Sequence, residues 1–139
     1  MNAPNWETPW DGPIAVVTGG RDYRDRAQVF AELDRVKPAI VIHGDGDGAD
    51  AFAKEWADDH GVFTVRVPVT RGIWRRLGGV SGPIRNELMT RVAYLLMSAA
   101  PPDRGVGLSF PGGAGTRDAT RRFRTSGIPV HPVPERGVP

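Results

Sequence analysis

The order of apolar and polar segments predicts an α/β protein, a three-layer αβα sandwich around a mainly parallel sheet of about five strands. Three observations carry this prediction. Short apolar runs alternate with segments whose apolar residues recur at helical spacing. The runs are apolar at successive positions, as strands covered on both faces must be. Three of the turns that follow a run are built from glycine: "TGGRD", "HGDGDGAD" and "PGGAGT".

The first run, "IAVVT" at 14–18, reads as a buried strand ending in Gly19 and Gly20. Val29, Phe30, Leu33 and Val36 then repeat at helical spacing. "AIVIH" at 39–43, entered through Pro38, is the second strand. Ala49, Phe52, Ala53, Trp56 and Ala57 form a second helical stripe, closed by "HG" at 60–61, and "VFTVRVP" at 62–68 is the third strand. Residues 69–82, rich in glycine and arginine, read as a long loop. Ile84, Leu88, Val92, Leu95 and Leu96 mark an amphipathic helix from about Pro83, a residue suited to a first helical turn. "PPDRG" breaks the chain, "VGLSF" at 106–110 is the fourth strand, and "PGGAGT" leads into a helix carrying Ala119 and Phe123. "GIPVHPV" ends that helix and supplies the fifth strand. The alternation makes the sandwich Rossmann-like. It forms one domain over 14–133, with an N-terminal arm at 1–13 bearing Trp6 and Trp10 and a flexible tail at 134–139.

A chain of 139 residues supports one such core and not two. The absence of cysteine excludes disulfides, thiol catalysis and thiolate-bound zinc. No apolar run approaches the roughly 20 residues that span a bilayer, and the N-terminus lacks the basic start and apolar segment of a signal peptide. The expectation is a cytoplasmic protein with no membrane partner. The net charge of +2 hides an asymmetry: residues 1–65 hold 12 acids and 6 bases, residues 66–139 hold 4 acids and 12 bases. All the bases but Lys37 and Lys54 are arginine. That preference fits bidentate recognition of phosphate or carboxylate. It equally fits a genome that favours arginine codons.

A strand, a glycine turn and a helix in succession place free N–H groups at a helix N-terminus, where the dipole favours an anion. In a parallel sheet these turns share the carboxyl edge, where ligands bind. Pro111, Gly112, Gly113, Gly115 and Thr116 can wrap a phosphate this way, or form a tight turn with a threonine cap. Arg21, after Gly19 and Gly20, can clamp a second anion or pair with Asp22 or Asp25. Trp74, beside Arg75 and Arg76, can stack on a base or cover the sheet edge. Arg117, Arg121 and Arg124 share one helical face, a stripe for DNA or a solvated surface. No glycine turn is a P-loop or a complete G-x-G-x-x-G fingerprint. His43, His60 and His131 lie far apart, and nothing in the sequence calls for a metal or a cofactor.

"HGDGDGAD" at 43–50 departs from a calcium loop, because counting from Asp45 puts Trp56 where an EF-hand has glutamate. Asp47 is placed as an N-cap, and Asp50 lies in the first turn, where a carboxylate favours the dipole. Two carboxylates repel phosphate, so Gly44, Asp45 and Asp47 are expected to meet ribose hydroxyls, a cationic group or a bridging metal ion.

"PGGAGT" at 111–116 resembles the phosphate-loop motif of the LOG phosphoribohydrolases, and "RNELM" at 85–89 is similar to their Arg-Lys-x-x-Met helix. The ordered set "VTGGRDY", "HGDGDGADAFAKEWA", "W...G...GPIRN..M" and "FPGGAGTRDA" resembles the YspA-like branch of the SLOG superfamily over about residues 14–133. The resemblance implies the fold and a nucleotide-derived ligand. It implies that Arg85, beside Asn86, contacts the ligand at the scissile bond of a hydrolase. The LOG motif continues to a glutamate that acts in glycosidic cleavage; Ala119 stands there, with Asp118 one helical step of about 100 degrees away. Arg85 and Asp118 are therefore the catalytic candidates if the chain is an enzyme. The first expectation is a protein that binds a nucleotide or nucleotide-derived ligand as a sensor or sequestering protein, in a phage or defence setting. The alternative is a LOG-like nucleotide N-glycosidase, and the third is DprA-like binding of single-stranded DNA. The resemblance also implies a homodimer, for which Leu95, Leu96 and Met97 offer apolar surface.

Overall fold

The computed structural model describes residues 12–99 and 105–136. Trp6, Trp10 and the chain break at 100–104 lie outside the described residues, as does the tail beyond Arg136. Five strands form one sheet in the order β3-β2-β1-β4-β5. They are β1 (Ile14–Thr18), β2 (Ile40–His43), β3 (Phe63–Arg66), β4 (Gly105–Ser109) and β5 (Val130–Pro132). Every pairing is parallel, with Ile14 in register with Ile40 on one side and Gly105 on the other. The order reverses between β1 and β4, so the loops leaving these two strands diverge and open a crevice at their carboxyl ends.

Side chains of the central strands alternate between two apolar clusters, as strand geometry requires. Val17, Val41 and Leu108 pack with Val29 and Leu33 of α1 (Arg26–Val36) and with Ala53, Trp56 and Ala57 of α2 (Ala49–His60). Ile14, Val16, Ile40 and Ile42 pack on the opposite face with Met89 and Ala93 of α4 (Ser81–Ala99) and Ala119 and Phe123 of α5 (Ala114–Thr125). The buried Trp56 indole donates to Asp34 Oδ1 at 2.9 Å, so its polar edge is satisfied. Among the described residues no helix is long and apolar enough to cross a membrane.

Two segments depart from the sequence-based reading. Within 69–82, α3 (Arg71–Leu77) forms, capped by Thr70 Oγ1 accepting from Ile73 N–H at 3.2 Å, and a 3-10 turn (Gly78–Val80) joins it to α4. The glycines at 72, 78 and 79 mask a helix too short to show periodicity. In α4 the residues that face the core are Asn86, Met89, Thr90 and Ala93, while Ile84, Leu88 and Leu95 form an exposed stripe with Tyr94 nearby. Of the predicted stripe, Val92 and Leu96 do pack against the core cluster, so the apolar spacing spans both the core side and the outer face of this helix.

Candidate functional site

The crevice at the β1/β4 edge is a cleft of about 560 Å³. Thr18, Gly19, Gly20 and Arg21 enter it from β1, and Gly46, Asp47 and Asp50 from the β2–α2 turn. Gly82, Pro83, Arg85, Asn86 and Met89 come from α4, and Gly113, Ala114, Gly115, Thr116 and Asp118 from α5. Sequence reasoning named ten of these: Gly19, Gly20, Arg21, Asp47, Arg85, Asn86, Gly113, Gly115, Thr116 and Asp118.

Close backbone contact brings the turns together. Gly20 N–H donates to Pro111 O at 2.9 Å. A Cβ on Gly48 would collide with the Gly20 carbonyl oxygen, and Gly48 holds φ +69, so glycine is required there on both counts. A Cβ on Gly112 would likewise collide with Thr116 Oγ1. Pro111 and Gly112 thus brace the loop from behind and line a separate groove, whereas Gly113 and Gly115 face the cleft with open space around them. Gly113 is the N-cap of α5 and provides no side-chain cap. The first N–H groups of α5 are directed toward the cleft, with the positive end of its dipole.

Opposite this edge stands a polar network. Arg85 Nη1 donates to Gly44 O at 2.8 Å and its Nε donates to Asn86 Oδ1 at 2.9 Å. Gly44 acts here as a backbone anchor. Burial pulls the Arg85 guanidinium below its ordinary range, opposed by the charge of Asp50 and aided by that of Arg21. Asn86 Nδ2 donates to Gly115 O at 3.2 Å and to Asp118 Oδ2 at 3.0 Å, tying α4 to the first turn of α5. Asp118 also accepts from Arg122 Nε at 2.9 Å and pairs with Arg121. Burial alone would raise Asp118; the hydrogen bonds from Arg122 and Asn86 and the charges of Arg122 and Arg121 outweigh it and hold the carboxyl below the usual range. Ala119 is fully buried in the core cluster beneath α5, so this position faces the sheet and not the cleft.

The acidic turn is arranged differently from its expected form. Asp47 is not the N-cap of α2. Gly48 holds that position with no side-chain cap, because the turn needs its left-handed backbone against Gly20, which leaves Asp47 one residue too early. Asp45 also holds a positive φ of 58 and turns its carboxylate away from the cleft, toward Arg66 at 3.4 Å. Its N–H donates to His43 Nδ1 at 2.9 Å. Trp74 on α3 is 57% exposed and lies outside the cleft lining. Asp25 pairs with Arg136 and caps α1 through the Gln28 N–H, so its carboxylate is engaged away from Arg21. Among the described residues no cluster of three or more His, Asp or Glu side chains is arranged to hold a metal ion.

Asp50 is the residue the sequence reading left in a structural role. It is 8% exposed and lines the cleft. Its Oδ2 accepts the Gly46 N–H at 3.1 Å, while Oδ1 is buried with no hydrogen-bond partner among the described residues. Burial pushes its carboxyl up to about 6, against the hydrogen bonds of Gly46 and Gly44 and the charge of Arg85. The signal was present in the spacing: Asp50 stands three and seven residues before Ala53 and Ala57, on the buried face of α2.

A parallel five-stranded sheet with its glycine turns gathered at the β1/β4 edge defines a Rossmann-like α/β protein. The sequence pattern of the YspA, cpYpsA-related SLOG family (YAcAr) matches residues 13–71. Gene 61 protein of Mycobacterium phage D29 is 32% identical over 123 residues, covering 83% of this chain and 91% of that protein. The chain belongs to the YspA, cpYpsA-related SLOG family. Among solved structures, DNA processing protein A (DprA) from Streptococcus pneumoniae is similar over 93% of this chain with a TM-score of 0.62. At 16% identity that likeness is one of fold, and the chain spans 53% of the DprA chain.

Proposed function

We propose that the cleft binds a nucleotide or nucleotide-derived ligand, with its phosphate at the N-terminus of α5 and its sugar and base toward Arg85 and the β1 turn. The uncapped N-terminus of α5, opening into the cleft with Arg21 among the lining residues, carries this reading. A cleft of about 560 Å³ is within the size of small-molecule sites. The phage relative supports a role in phage infection, as a sensor of a nucleotide signal or a protein that sequesters it. Binding is preferred over LOG-like hydrolysis because Asp118 is held charged by three donors and Ala119 offers no acid. The test is calorimetry with nucleoside monophosphates, cyclic dinucleotides and ADP-ribose against the wild type and Gly115→Asp. Gly115 has open space for a side chain, so the variant keeps the fold and places a carboxylate where the phosphate would sit. Micromolar binding lost in Gly115→Asp supports the reading; no binding to any of these compounds rejects it.

A second reading rests on a separate groove of about 580 Å³ lined by Arg117, Arg121 and Arg124, with Thr120, Thr125 and Pro132. Three guanidinium groups along one helix suit a polyanion, and the DprA likeness directs attention to single-stranded DNA. This reading requires affinity for an oligothymidylate that falls steeply with salt and with Arg124→Glu. Retained affinity in that variant rejects it.

A further inference from the structure

We propose that α3 is a lipid-binding element, a short amphipathic helix that lays its apolar face on an anionic bilayer surface. The inference is independent of what fills the cleft. At about 100 degrees per residue, Ile73, Leu77 and Trp74 fall within one sector of the helix, and Arg71 and Arg76 border that sector on either side. Arg75 lies opposite. In a globular domain such an apolar sector faces the core. Here it is left outside: Ile73 is 39% exposed, Trp74 57% and Leu77 44%, and no residue of α3 is buried. The helix packs chiefly on the 3-10 turn that follows it and on α4. Val80 in that turn is exposed as well. The packing of the domain therefore gives no account of the amphipathic pattern.

The charges identify the partner. No Asp or Glu occurs between Asp59 and Glu87. Arg71, Arg75 and Arg76 are all exposed, and among the described residues no acid pairs with any of them. Arg66 and Arg85, on either side in sequence, are engaged by Asp45 and by the Gly44 carbonyl. Three such guanidinium groups call for an anionic partner, and Ile73 and Leu77 call for an apolar one. A nucleic acid meets the arginines and Trp74 but offers nothing to the two aliphatic side chains. A second copy meets the apolar sector but brings like-charged arginines together in a two-fold contact. The 7 residues of α3 are also fewer than the roughly 20–30 residues a side of a stable protein interface. Partitioning into a bilayer has no such minimum, since it scales with apolar area and with attraction to anionic headgroups. Arginine stems lie along the apolar layer while their heads reach phosphate, and tryptophan suits the boundary between the two. A helix that lies on a bilayer needs no spanning run, so the shortness of the apolar runs does not bear on it.

The experiment is co-sedimentation of the full chain with vesicles of phosphatidylcholine alone and of equal parts phosphatidylcholine and phosphatidylglycerol, at physiological ionic strength. The wild type is compared with Arg75→Glu plus Arg76→Glu, with Ile73→Ser plus Leu77→Ser, and with Trp74→Phe. Each of these side chains is exposed and outside the core clusters, so every variant is expected to keep the wild-type Tm. The wild type is expected to bind the anionic vesicles, and the neutral ones at least about tenfold more weakly. Reversing both arginines should weaken binding at least about thirtyfold, and the double serine variant should weaken it about tenfold or more. Lipids with brominated acyl chains should quench tryptophan fluorescence in the wild type, and Trp74→Phe should lose this quenching while it still binds. A wild type that stays in solution with the anionic vesicles overturns the proposal. So does binding unchanged in the serine variant, which marks a plain polyanion site, and quenching that survives in Trp74→Phe, which puts another tryptophan in the bilayer. A lowered Tm in the serine variant shows that the apolar sector packs on the body of the domain, and overturns it too. A wild type that ignores vesicles but self-associates, and becomes monomeric in the serine variant, assigns the face to a second copy instead.

Discussion

Neutralising Asp50 should stabilise the fold above pH 6. The folded-state carboxyl titrates near 6 against an ordinary value of 3.8. Protonation therefore favours the folded chain. The penalty is absent below the ordinary value, grows as pH rises between the two, and is complete above 6. A difference of about two pH units corresponds to about 3 kcal/mol. The group is only 8% exposed, so solvent screening removes little of this. Asp50→Asn abolishes the ionisation while keeping the shape of the side chain. The two proteins should be equally stable near pH 3.5, and the variant should lead by about 1.5 kcal/mol at pH 5 and up to about 3 kcal/mol above pH 7. In a chain of this size the last figure is on the order of 10 °C in Tm.

The assay is urea unfolding of both proteins across pH 3.5–8. Only their difference isolates Asp50, because other carboxyls act in the opposite sense. Asp25, bonded to Arg136, and Glu55, bonded to Arg26, are held low. Asp118 is also held low, its hydrogen bonds overcoming burial. These groups contribute stability above their ordinary values that is lost as pH falls. If wild type and Asp50→Asn change stability in parallel over the whole range, Asp50 is not ionised against burial and the reasoning fails.

Three further outcomes follow from the packing. Gly48→Ala forces a Cβ onto the Gly20 carbonyl at a positive φ and should cost more than about 2 kcal/mol, read as a lower urea midpoint; an unchanged midpoint would show that the turns are not in close contact. Ala119→Glu, which restores the LOG motif residue, should place a carboxylate in the apolar cluster with Phe123 and Met89. It should destabilise by at least about 3 kcal/mol and release no base from AMP, and a stable, active variant would contradict the orientation of α5. If the exposed stripe of α4 joins two copies, the wild type sediments as a dimer, and the double variant Leu88→Glu with Leu95→Glu sediments as a monomer with unchanged Tm. A monomeric wild type removes the dimer expectation.

The fold was legible because it is written in long-range redundancy. Five apolar runs and four helical stripes each pointed to the same layers, so an error in one boundary left the architecture intact. The short helix α3 escaped because seven residues give less than two full periods and the adjacent glycines suggest a loop. The direction of α4 escaped for a different reason. Ile84, Leu88 and Leu95 are conspicuous but exposed, Val92 and Leu96 pack on the core, and the buried face also carries Asn86, Thr90 and Ala93, which no hydrophobic pattern marks. The glycine turn at 111–116 and Arg85 were visible as motifs. Their coupling through Asn86 to Gly115 and Asp118 requires two helices distant in sequence to meet, and no local pattern encodes that.

The acidic turn shows how one short stretch divides its charges. Three aspartates within six residues invite a single ligand for all of them. Backbone geometry separates them instead: the left-handed Asp45 directs its carboxylate outward to Arg66, Asp47 stays at the rim of the cleft, and only Asp50 turns inward. The glycines make this possible, since Gly48 allows the turn to lie on Gly20 and Gly46 supplies the N–H that fixes Asp50. The inward carboxylate raises the energy of the folded protein at neutral pH, because burial disfavours its charged form.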